Sequence, residues 1–472
     1  MRRTTGAGGL IGTMLAAALP GAAMGAEIEF TPTVDASVTY TDNIELVPPG
    51  AAEESEFVLE AVPGFDWSYE SARIKSGLGY RLTGLVYAND SDRNQAYHSG
   101  SLSFGSTLLE QWLFLDASGD YLQSTIEPRR AVNSNLMFQT QNVTDVGTYQ
   151  VSPYVRHEFR RAVLEARYSR GWVKYRDEDP LQQLTLDDSE NEERLATIGN
   201  RDDDDAKLTW QLTYEGQIAH YDLAADFQYE QAAAELGWRL NTSLRVFGRG
   251  GQESELTQDL TDGGLDTSWW DAGIEVRSEQ NRLIFSYGDR FFGRSMSGSW
   301  ERTARVLRLS VKYSEVPTTW AQERALRSEA TQPLVAPVPT EDLSRLTAEV
   351  FIRRDFDASV TLVGRRTELT LTGLRRRREY ISLDLEDRER GIGLSGTRQL
   401  SGRSAIYASY YWDQFNLREG DEFTDQRIVL GANRQIGRTT SLAFDLSHIE
   451  RDSSSVTLYD ATWATLRFSK QF

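Results

Sequence analysis

Few residues of this sequence have the types and spacing that catalysis or metal binding requires. The chain has no cysteine, so it offers neither a thiol nucleophile nor a thiolate metal ligand. Its histidines are widely spread, without the spacing of a metal-binding motif: His98, His157, His220 and His448. The one catalytic arrangement that the sequence offers is His98 next to Ser99, with Asp90 and Asp92 nearby. We predict a protein that is not an enzyme and that has no cofactor or metal site.

Two charged stretches are candidates for binding. Residues 176–206 hold 12 acidic residues against three basic ones. Carboxylate oxygens suit Ca²⁺ and Mg²⁺, but no EF-hand or repeated ligand spacing is present, so we interpret the stretch as a solvated acidic loop. Residues 374–379, LRRRRE, either contact lipopolysaccharide phosphates or line a pore, and a patch at a membrane interface is the simpler interpretation.

The composition limits the class of protein. The chain has 472 residues, 39% of them hydrophobic, a mean hydropathy of −0.49 and a formal net charge of −19. The excess of acid argues against nucleic acid as a partner. No run of about 18 or more apolar residues follows the N-terminus, so the sequence has no candidate transmembrane helix. Residues 1–26 combine a basic start, a short apolar core and small residues, which predicts a cleaved signal peptide.

An alternation of apolar and polar residues runs through the remainder of the chain. In residues 207–216, KLTWQLTYEG, the apolar positions are Leu208, Trp210, Leu212 and Tyr214. Similar alternation recurs in residues 74–87, 164–169, 307–313, 406–413 and 442–447. Successive side chains of a strand point to opposite faces, so these runs predict long strands with one apolar face. Pro63 and Pro153 fall within such runs, where a bulge or a strand end would accommodate the missing ladder hydrogen bond.

Short and long connections alternate along the chain. The short turns are residues 70–73, 159–162, 240–243, 401–404 and 436–439, and the long loops are residues 41–56, 124–143, 176–193, 252–268 and 315–345. Outer-membrane barrels have this rhythm because their periplasmic turns are tight and their outer loops are long. With residues 315–356 taken as one outer loop, the alternation predicts about 22 strands, within a range of roughly 18–24 and always even.

These patterns predict an all-β protein: a transmembrane, antiparallel, up-and-down β-barrel with long extracellular loops, formed by residues 27–472. A closed sheet satisfies its own backbone hydrogen bonds, so it crosses a bilayer without an exposed edge. Its apolar face meets lipid and its polar face lines a lumen. The lumen-facing candidates are Arg167, Arg308, Lys312, Asp413 and Asp445. The loop of residues 315–345, apolar around PLVAPVP, is the predicted internal constriction.

The C-terminal and aromatic residues fit such a barrel. Leu466, Phe468 and Phe472 share one face of the final predicted strand and resemble the signal by which outer-membrane barrels are recognised for insertion. Lys470 departs from the apolar residue that is usual in that signal. Aromatic residues either stack with sugar rings in a lumen or form girdles at the membrane interfaces. We assign four near loop bases to the girdles: Trp269, Trp270, Phe291 and Phe292.

Several segments resemble a known family. Residues 39–65, 81–121, 148–159 and 287–300 are similar to the PEP-CTERM system-associated outer membrane protein family. The resemblance implies an outer-membrane barrel that accompanies exosortase and exopolysaccharide-biosynthesis genes, and it brings no catalytic residues. The chain lacks a C-terminal Pro-Glu-Pro motif followed by an apolar helix and basic residues, so it does not resemble an exosortase substrate.

Two functional hypotheses follow. The first is a channel in the cell outer membrane that exports polysaccharide or another secreted product, with charge rings and inward loops setting its selectivity. The alternative is a non-conducting surface scaffold or docking barrel whose acidic loops hold a polymer or a protein at the cell surface. The expected partners are outer-membrane lipid, lipopolysaccharide, the barrel-insertion machinery and, for a channel, exopolysaccharide, without nucleic acid.

Overall fold

The strands form one closed sheet. The structure, a computed structural model, describes residues 26–126, 129–131, 135–138, 140, 142–176, 186–200, 206–222, 226–254, 265–319, 350–380, 385–417, 420–453 and 456–472. The predicted signal peptide, residues 1–26, lies outside these ranges apart from its final residue. In chain order the strands are β1 (Glu27–Thr41), β2 (Glu56–Glu70), β3 (Ile74–Tyr87), β4 (Gln95–Leu109), β5 (Leu113–Thr125), β6 (Val143–Glu158), β7 (Ala162–Tyr175), β8 (Ser189–Asn200), β9 (Leu208–Tyr221), β10 (Phe227–Arg239), β11 (Leu244–Glu253), β12 (Thr267–Arg277), β13 (Asn281–Arg290), β14 (Gly293–Thr303), β15 (Leu307–Thr319), β16 (Val350–Val363), β17 (Thr367–Tyr380), β18 (Leu385–Ser401), β19 (Ser404–Asn416), β20 (Glu422–Gln435), β21 (Thr440–Ser453) and β22 (Tyr459–Gln471).

One turn of 3₁₀ helix, Ser91–Arg93, lies between β3 and β4. Its N-cap is Asp90, whose side chain accepts a hydrogen bond from the backbone N–H of Asp92. Within the described ranges, no helix has the length and apolar character needed to cross a bilayer.

Each strand pairs antiparallel with its neighbours in the chain, and β1 closes the sheet by pairing with β22. At this seam residues 33–41 pair with residues 463–471. The prediction of an antiparallel up-and-down barrel with about 22 strands is confirmed. Short turns join the strands at one end of the barrel, the turn end, where β1 begins. Mostly longer connections join them at the other end, the loop end, and barrels of this kind place their tight turns in the periplasm.

Two boundaries differ from the sequence prediction. β15 continues to Thr319 and β16 begins at Val350, so the flanks of the expected loop 315–356 are strand. The acidic stretch 176–206 is not a single loop, because β8 runs through its middle. Extending strands into a long loop leaves the alternation of short and long connections unchanged, which is why the predicted strand number is nevertheless right.

Pro63 and Pro153 are accommodated by neither a bulge nor a strand end. Each lies within its strand and pairs on one side, Pro63 with Val34 of β1 and Pro153 with Leu115 of β5. On the other side the ladder lapses for two residues and resumes in the same register. A proline has no N–H to donate to a neighbouring strand. Because the pairing stops beside each proline and then resumes, no donor is required there and the register of the strands is unchanged.

The two faces of the sheet differ in polarity. Outward side chains such as Leu208 and Leu212 of β9 are apolar and exposed. Their neighbours across the strands have the same character, since Leu212 pairs with Ile198 of β8 and Ala234 of β10. Inward positions between them are polar, as Gln211 is. The outer face therefore has the apolar surface that lipid requires, and the barrel interior is polar.

Gly251 of β11 marks a place where two strands approach too closely for a side chain. A β-carbon there would lie 1.8 Å from the carbonyl oxygen of Ala232. At the neighbouring Gly250 a β-carbon would lie at an ordinary contact distance, 3.6 Å from the oxygen of Trp269.

We expect Gly251→Ala to lower the free energy of unfolding by about 1–3 kcal/mol, because the strands must separate to admit the methyl group. The matched control, Gly250→Ala, should change it by less than about 0.5 kcal/mol. Urea unfolding of the refolded barrel, followed by tryptophan fluorescence, measures both values. Equal effects of the two substitutions would contradict the close approach at Gly251.

Candidate functional site

The inner face of the barrel is polar from strand to strand. Thr39 Oγ1 lies 2.9 Å from Thr465 Oγ1 across the seam. The Ser152 hydroxyl of β6 donates to the Ser169 hydroxyl of β7 at 2.8 Å. Further buried polar residues of this face are Thr33, Ser37, Asn191, Ser286, Ser409 and Ser447. A wall of hydroxyl and amide groups is suited to a hydrated interior, because such groups can bond to neighbouring side chains or to water.

Arg167, the first of the predicted lumen residues, projects inward from β7. It forms an ion pair with Asp116 of β5 at 3.1 Å, and its guanidinium carbon lies 4.0 Å from the centroid of the Tyr154 ring of β6. The contact therefore spans three strands. Arginine above an aromatic ring is held by the ring quadrupole as well as by packing, which fixes the orientation of the guanidinium.

Arg308 and Lys312 project inward from β15 and are exposed to the lumen. Their partners across β14 are Thr303 and Ser299, which are neutral. Lys312 lies opposite Asp357 of β16, yet within the described part of the chain neither cation forms an ion pair. Both charges are thus available to the solution inside the barrel.

The two predicted acids also project inward and are held differently. Asp445 of β21 accepts a hydrogen bond from the Tyr407 hydroxyl of β19. Asp413 of β19 occupies space that Gly391 leaves free, since a β-carbon at that glycine would lie 1.9 Å from an Asp413 oxygen. The predicted lumen residues are distributed around the wall and do not form one cluster. Their part in a conducting path stays a prediction.

Inner charges that the sequence analysis did not single out form ladders across neighbouring strands. In the first ladder, Arg245 of β11 bonds Glu275 of β12 at 3.2 Å and also bonds Glu235 of β10. Four residues further along β11, Arg249 bonds Asp271 of β12 at 2.7 Å. The wall therefore carries charges of both signs at this place.

A second ladder lies on β16, β17 and β18. Arg376 bonds Asp355 and Glu389, each at 3.2 Å. Arg378, two residues further along β17, bonds Glu389 at 3.4 Å. The segment 374–379 is thus divided, with its even-numbered arginines on the inner face and its odd-numbered ones on the outer face. The alternation in the sequence predicts which of these arginines share a face. It does not predict their ion-pair partners, because those depend on the register between strands.

The connection between β5 and β6 folds into the barrel at the loop end. Met137 and Phe138 of this connection are 2% and 0% exposed. They belong to an apolar cluster, here called the seam cluster, with Ile44, Leu46, Val58, Leu85, Tyr87, Ile449, Tyr459, Ala461 and Trp463. The Phe138 ring meets the Trp463 ring edge to face at 5.3 Å. Burial of this apolar surface holds the connection against the inner wall, where it narrows the mouth.

Polar contacts fix the same connection. The Tyr87 hydroxyl donates to the carbonyl oxygen of Met137 at 2.7 Å. Arg451 of β21 has no exposed surface, pairs with Asp425 at 2.5 Å and donates to the carbonyl oxygen of Arg130 at 2.9 Å. The ion pair joins β20 to β21 and fixes the Arg451 guanidinium, so displacing the connection would cost this buried cation its hydrogen bond to the Arg130 carbonyl.

A second apolar cluster, here called the β9–β10 cluster, lies elsewhere at the loop end. It contains Ala219, Tyr221, Phe227, Tyr229 and Ile352, with Phe291, Phe292 and Val350 packed against it. Beside it, the buried Glu253 accepts hydrogen bonds from the Tyr229 hydroxyl at 2.9 Å and from Arg290 at 2.8 Å. Strands β11–β14 have only 10 or 11 residues, which allows β16 to contact β9 and β10 past their ends.

This cluster corrects the assignment of the aromatic girdle. Trp270 projects from the outer face and is 53% exposed, as a girdle residue is. Trp269 projects inward and is 6% exposed, while Phe291 and Phe292 pack against the β9–β10 cluster. Adjacent residues of a strand face opposite sides, so the two tryptophans cannot both face lipid.

The predicted constriction, residues 315–345, falls largely outside the described residues. Its described flanks on β15 and β16 are buried at the loop end, including Thr318, Thr319 and Ile352. The prediction for residues 315–345 therefore stays untested, and among the described residues the connection that packs inside the mouth is the one between β5 and β6. The sequence feature that could have indicated the inward packing of this connection is the apolar pair of Met137 and Phe138 inside a polar loop.

A cavity of about 640 Å³ lies at the turn end beside the first ladder. Its wall carries both signs of charge, including Arg156, Glu165, Glu235, Arg239, Arg245 and Arg282. This cavity lies at the opposite end of the barrel from the seam cluster and the β9–β10 cluster.

The candidate catalytic pair is separated by the sheet. His98 projects outward, where its Nδ1 lies 2.6 Å from the Tyr80 hydroxyl. Ser99 pairs with Arg81 and faces inward. The two side chains therefore do not form a nucleophile and base. Within the described ranges, no group of three or more histidine and acidic side chains is placed to hold a metal ion.

The predicted insertion signal lies beside the seam. Leu466 and Phe468 project from the outer face of β22, and the exposed Phe472 follows that strand. The backbone N–H of Phe472 donates to the carbonyl oxygen of Pro32 at 2.9 Å. The Lys470 ammonium lies 4.5 Å from the centroid of the Phe472 ring. Recognition of these residues by the insertion machinery stays a prediction.

Comparison with known proteins finds likeness in structure alone. No protein-family model and no curated protein matches the chain. A variant of the ferric enterobactin receptor PfeA from Pseudomonas aeruginosa is 9% identical with a TM-score of 0.52, over 93% of this chain and 80% of that one. The siderophore receptor PirA from Acinetobacter baumannii is 10% identical with a TM-score of 0.49, over 93% and 80% of the two chains. An anion-selective porin from Comamonas acidovorans is 9% identical with a TM-score of 0.34, over 95% and 100%.

The closed 22-stranded sheet, its apolar outer face and its polar interior define the class. The protein is an outer-membrane β-barrel. At these identities the likeness to receptors and porins concerns the fold, and it gives no support to the narrower family resemblance.

The contact between Tyr87 and the β5–β6 connection can be tested by removing one hydroxyl. We expect Tyr87→Phe to cost about 1 kcal/mol and to raise the population of the released connection about fivefold. The rate of proteolytic cleavage within residues 126–142 of the reconstituted barrel measures this population. Tyr80→Phe, which removes an outward hydroxyl that contacts His98, is the control and should leave the rate unchanged. An unchanged rate in both variants would show that the hydroxyl does not hold the connection.

Proposed function

We propose that the barrel is a channel through the outer membrane for a polar solute or polymer. The observation that supports this proposal is the inner wall, whose arginines contact acids of neighbouring strands. Such a wall keeps a path hydrated without concentrating charge of one sign, which favours the passage of polar and neutral molecules. A barrel of about 22 strands is wide enough to hold such a path.

We infer that the loop end gates this path. The seam cluster buries Met137 and Phe138 against the inner wall, and the β9–β10 cluster joins Tyr229 to Ile352 of β16. Both clusters use connections or strand ends near the mouth, whereas the turn end contains the cavity beside Arg245. Displacement of the β5–β6 connection would therefore open the mouth without altering the strand ladders.

For the cargo we propose an exported polysaccharide. Support comes from aromatic rings that accompany arginines on the inner wall. Phe114 stacks on Tyr154 at 4.9 Å, and Arg167 lies over Tyr154. Phe247 lies between two arginines whose guanidinium carbons are 5.2 and 5.4 Å from its ring centroid. The rings hold these arginines in fixed orientations, and guanidinium groups donate to sugar hydroxyls. The chain also resembles a family that accompanies exopolysaccharide-biosynthesis genes, and this association agrees with a polysaccharide cargo.

A non-conducting scaffold is the second candidate function. The observation that favours it is the burial of connections at the loop end, where two apolar clusters narrow the mouth. In this function the barrel is a membrane anchor, and its outer loops hold the ligand. Conductance separates the two functions.

Single-channel conductance in a planar bilayer tests the proposal on three proteins: residues 27–472 intact, and the same chain with residues 129–138 or 320–349 replaced by a short Gly-Ser linker. We expect the intact barrel to conduct poorly and the 129–138 deletion to conduct steadily, because that deletion removes the seam cluster's inward part. Polysaccharide fragments should then block the opened current transiently.

Three other results would change the conclusion. Conductance that appears only in the 320–349 deletion would place the gate in that loop. Silence in all three proteins, with folding established by heat-modifiable migration on a gel, would contradict the channel and support the scaffold. Absence of blockades in an open barrel would contradict the polysaccharide cargo.

The exposed cations of β15 predict the charge selectivity of the lumen. Arg308→Glu combined with Lys312→Glu replaces two inner cations by anions, and we expect the cation-to-anion permeability ratio to rise about tenfold. The reversal potential of the opened barrel in a salt gradient measures this ratio. Arg398→Glu, at an outward position of β18 near the turn end, is the control and should not shift it. Equal shifts would contradict the placement of Arg308 and Lys312 in the conducting path.

A further inference from the structure

Four arginines form a square on the outer face of β17 and β18. Arg375 lies directly opposite Arg390, and Arg377 lies directly opposite Arg388. All four project outward, because Arg376 between them in the sequence belongs to the inner ladder. Like charges directly opposite each other destabilise a pair of strands unless a counter-charge lies nearby. The source of that counter-charge differs between the two pairs.

The pair nearer the loop end is neutralised within the protein. Arg377 bonds Glu379 at 2.7 Å and Glu386 at 2.5 Å. Arg388 also bonds Glu386. Glu379 also bonds Arg354 of β16 at 2.8 Å, and Arg354 lies 4.0 Å from Glu315 of β15. Three carboxylates therefore compensate three guanidinium groups in this row.

The other pair has no such compensation within the described part of the chain. Arg375 is exposed and forms no ion pair. Arg390 donates from Nε to the amide oxygen of Gln414 at 2.5 Å and lies 5.8 Å from the centroid of the Trp412 ring. These contacts orient Arg390 but leave its charge in place. Two uncompensated positive charges thus face each other on the outside of the barrel.

This pair lies at the border of the apolar outer belt. Towards the turn end, the nearest large outward residues of the same two strands are apolar and exposed: Leu369, Leu371, Ile392 and Leu394. Towards the loop end, the next outward residues are charged. Acyl chains therefore contact the leucines and isoleucine, while the two guanidinium groups lie at the level of lipid headgroups.

We propose that Arg375 and Arg390 form a binding site for a phosphate group of lipid A, the lipid anchor of lipopolysaccharide in the outer leaflet. Guanidinium groups bind phosphate oxygens in a bidentate manner, and two of them from opposite strands supply donors from both sides. The loop end faces the outer leaflet if the tight turns are periplasmic. Lipid A places its phosphates directly above its acyl chains, which matches the order of arginines and apolar residues along β17 and β18.

A free phosphate ion or an acidic patch on a second copy of the chain would also supply negative charge. A free phosphate ion does not use the apolar residues that continue from the arginines towards the turn end, and a second copy would change the mass of the particle. Lipid A supplies the anion and the acyl chains in one molecule, and for this reason we assign the site to it.

Titration of the delipidated full chain in mild detergent tests the assignment with three probes: bisphosphorylated lipid A, dephosphorylated lipid A and inorganic phosphate. We expect Arg375→Gln combined with Arg390→Gln to weaken binding of lipid A about tenfold, which corresponds to roughly 1.4 kcal/mol. The wild-type barrel should bind dephosphorylated lipid A as weakly as the variant binds lipid A. Arg398→Gln combined with Arg434→Gln, which removes two outward arginines near the turn end, is the matched control and should bind as the wild type does.

Other outcomes would overturn the assignment. An equal loss in the control would show a general effect of charge. Competition by inorganic phosphate at the concentration at which lipid A binds would show a site for a free anion. A change in the mass of the particle in the Arg375 and Arg390 variant would show an interface between copies. Heat-modifiable migration reports the folding of each variant, and equal binding of the phosphorylated and dephosphorylated lipids by the wild type would overturn the proposal without any variant.

Discussion

Every feature of this barrel depends on the requirement that backbone N–H and C=O groups in lipid find partners within the protein. The β1–β22 pairing meets this requirement, because it removes the two edges that an open sheet would present to the bilayer. Once the sheet is closed, the side chains of each strand can only project towards lipid or towards the interior. The polarity of the two faces, the inner ladders and the outer arginines all follow from that division.

Many of the interior charges are paired by contacts between strands. Arg245 reaches acids on both neighbouring strands, and Arg376 does the same in the second ladder. A cation held in this way links three strands, so the ladders stabilise the strand register as well as setting the charge of the wall. The outer arginine pair at Arg375 and Arg390 lacks such partners and differs from the inner charges for that reason.

Much of the fold could be predicted from the sequence because a period of two specifies on which face a residue lies. The strand number followed from the alternation of connections, and it survived the error at residues 315–356 because longer strands do not change that alternation. Contacts across strands could not be predicted, since the pairing of Arg245 with Glu275 depends on a register that neither strand contains alone. The inward position of Phe138 was also missed, because an apolar residue in a loop has no period that indicates where it packs. The same alternation, applied consistently, would have prevented the assignment of both Trp269 and its neighbour to the girdle.

The seam has a consequence for how the chain folds. Thr39 and Thr465 are 426 residues apart, whereas every other pairing joins strands that follow each other in the chain. Hairpins can therefore assemble one after another from local contacts, and only the seam requires distant segments to meet. Until it forms, β1 and β22 are open templates on which any free strand can pair, including one from a second copy or from an assembly factor. In the closed barrel the N–H of Phe472 donates to the carbonyl oxygen of Pro32 at the turn end of the seam. A strand that paired with β1 in place of β22 would have to give up that position before the seam could close.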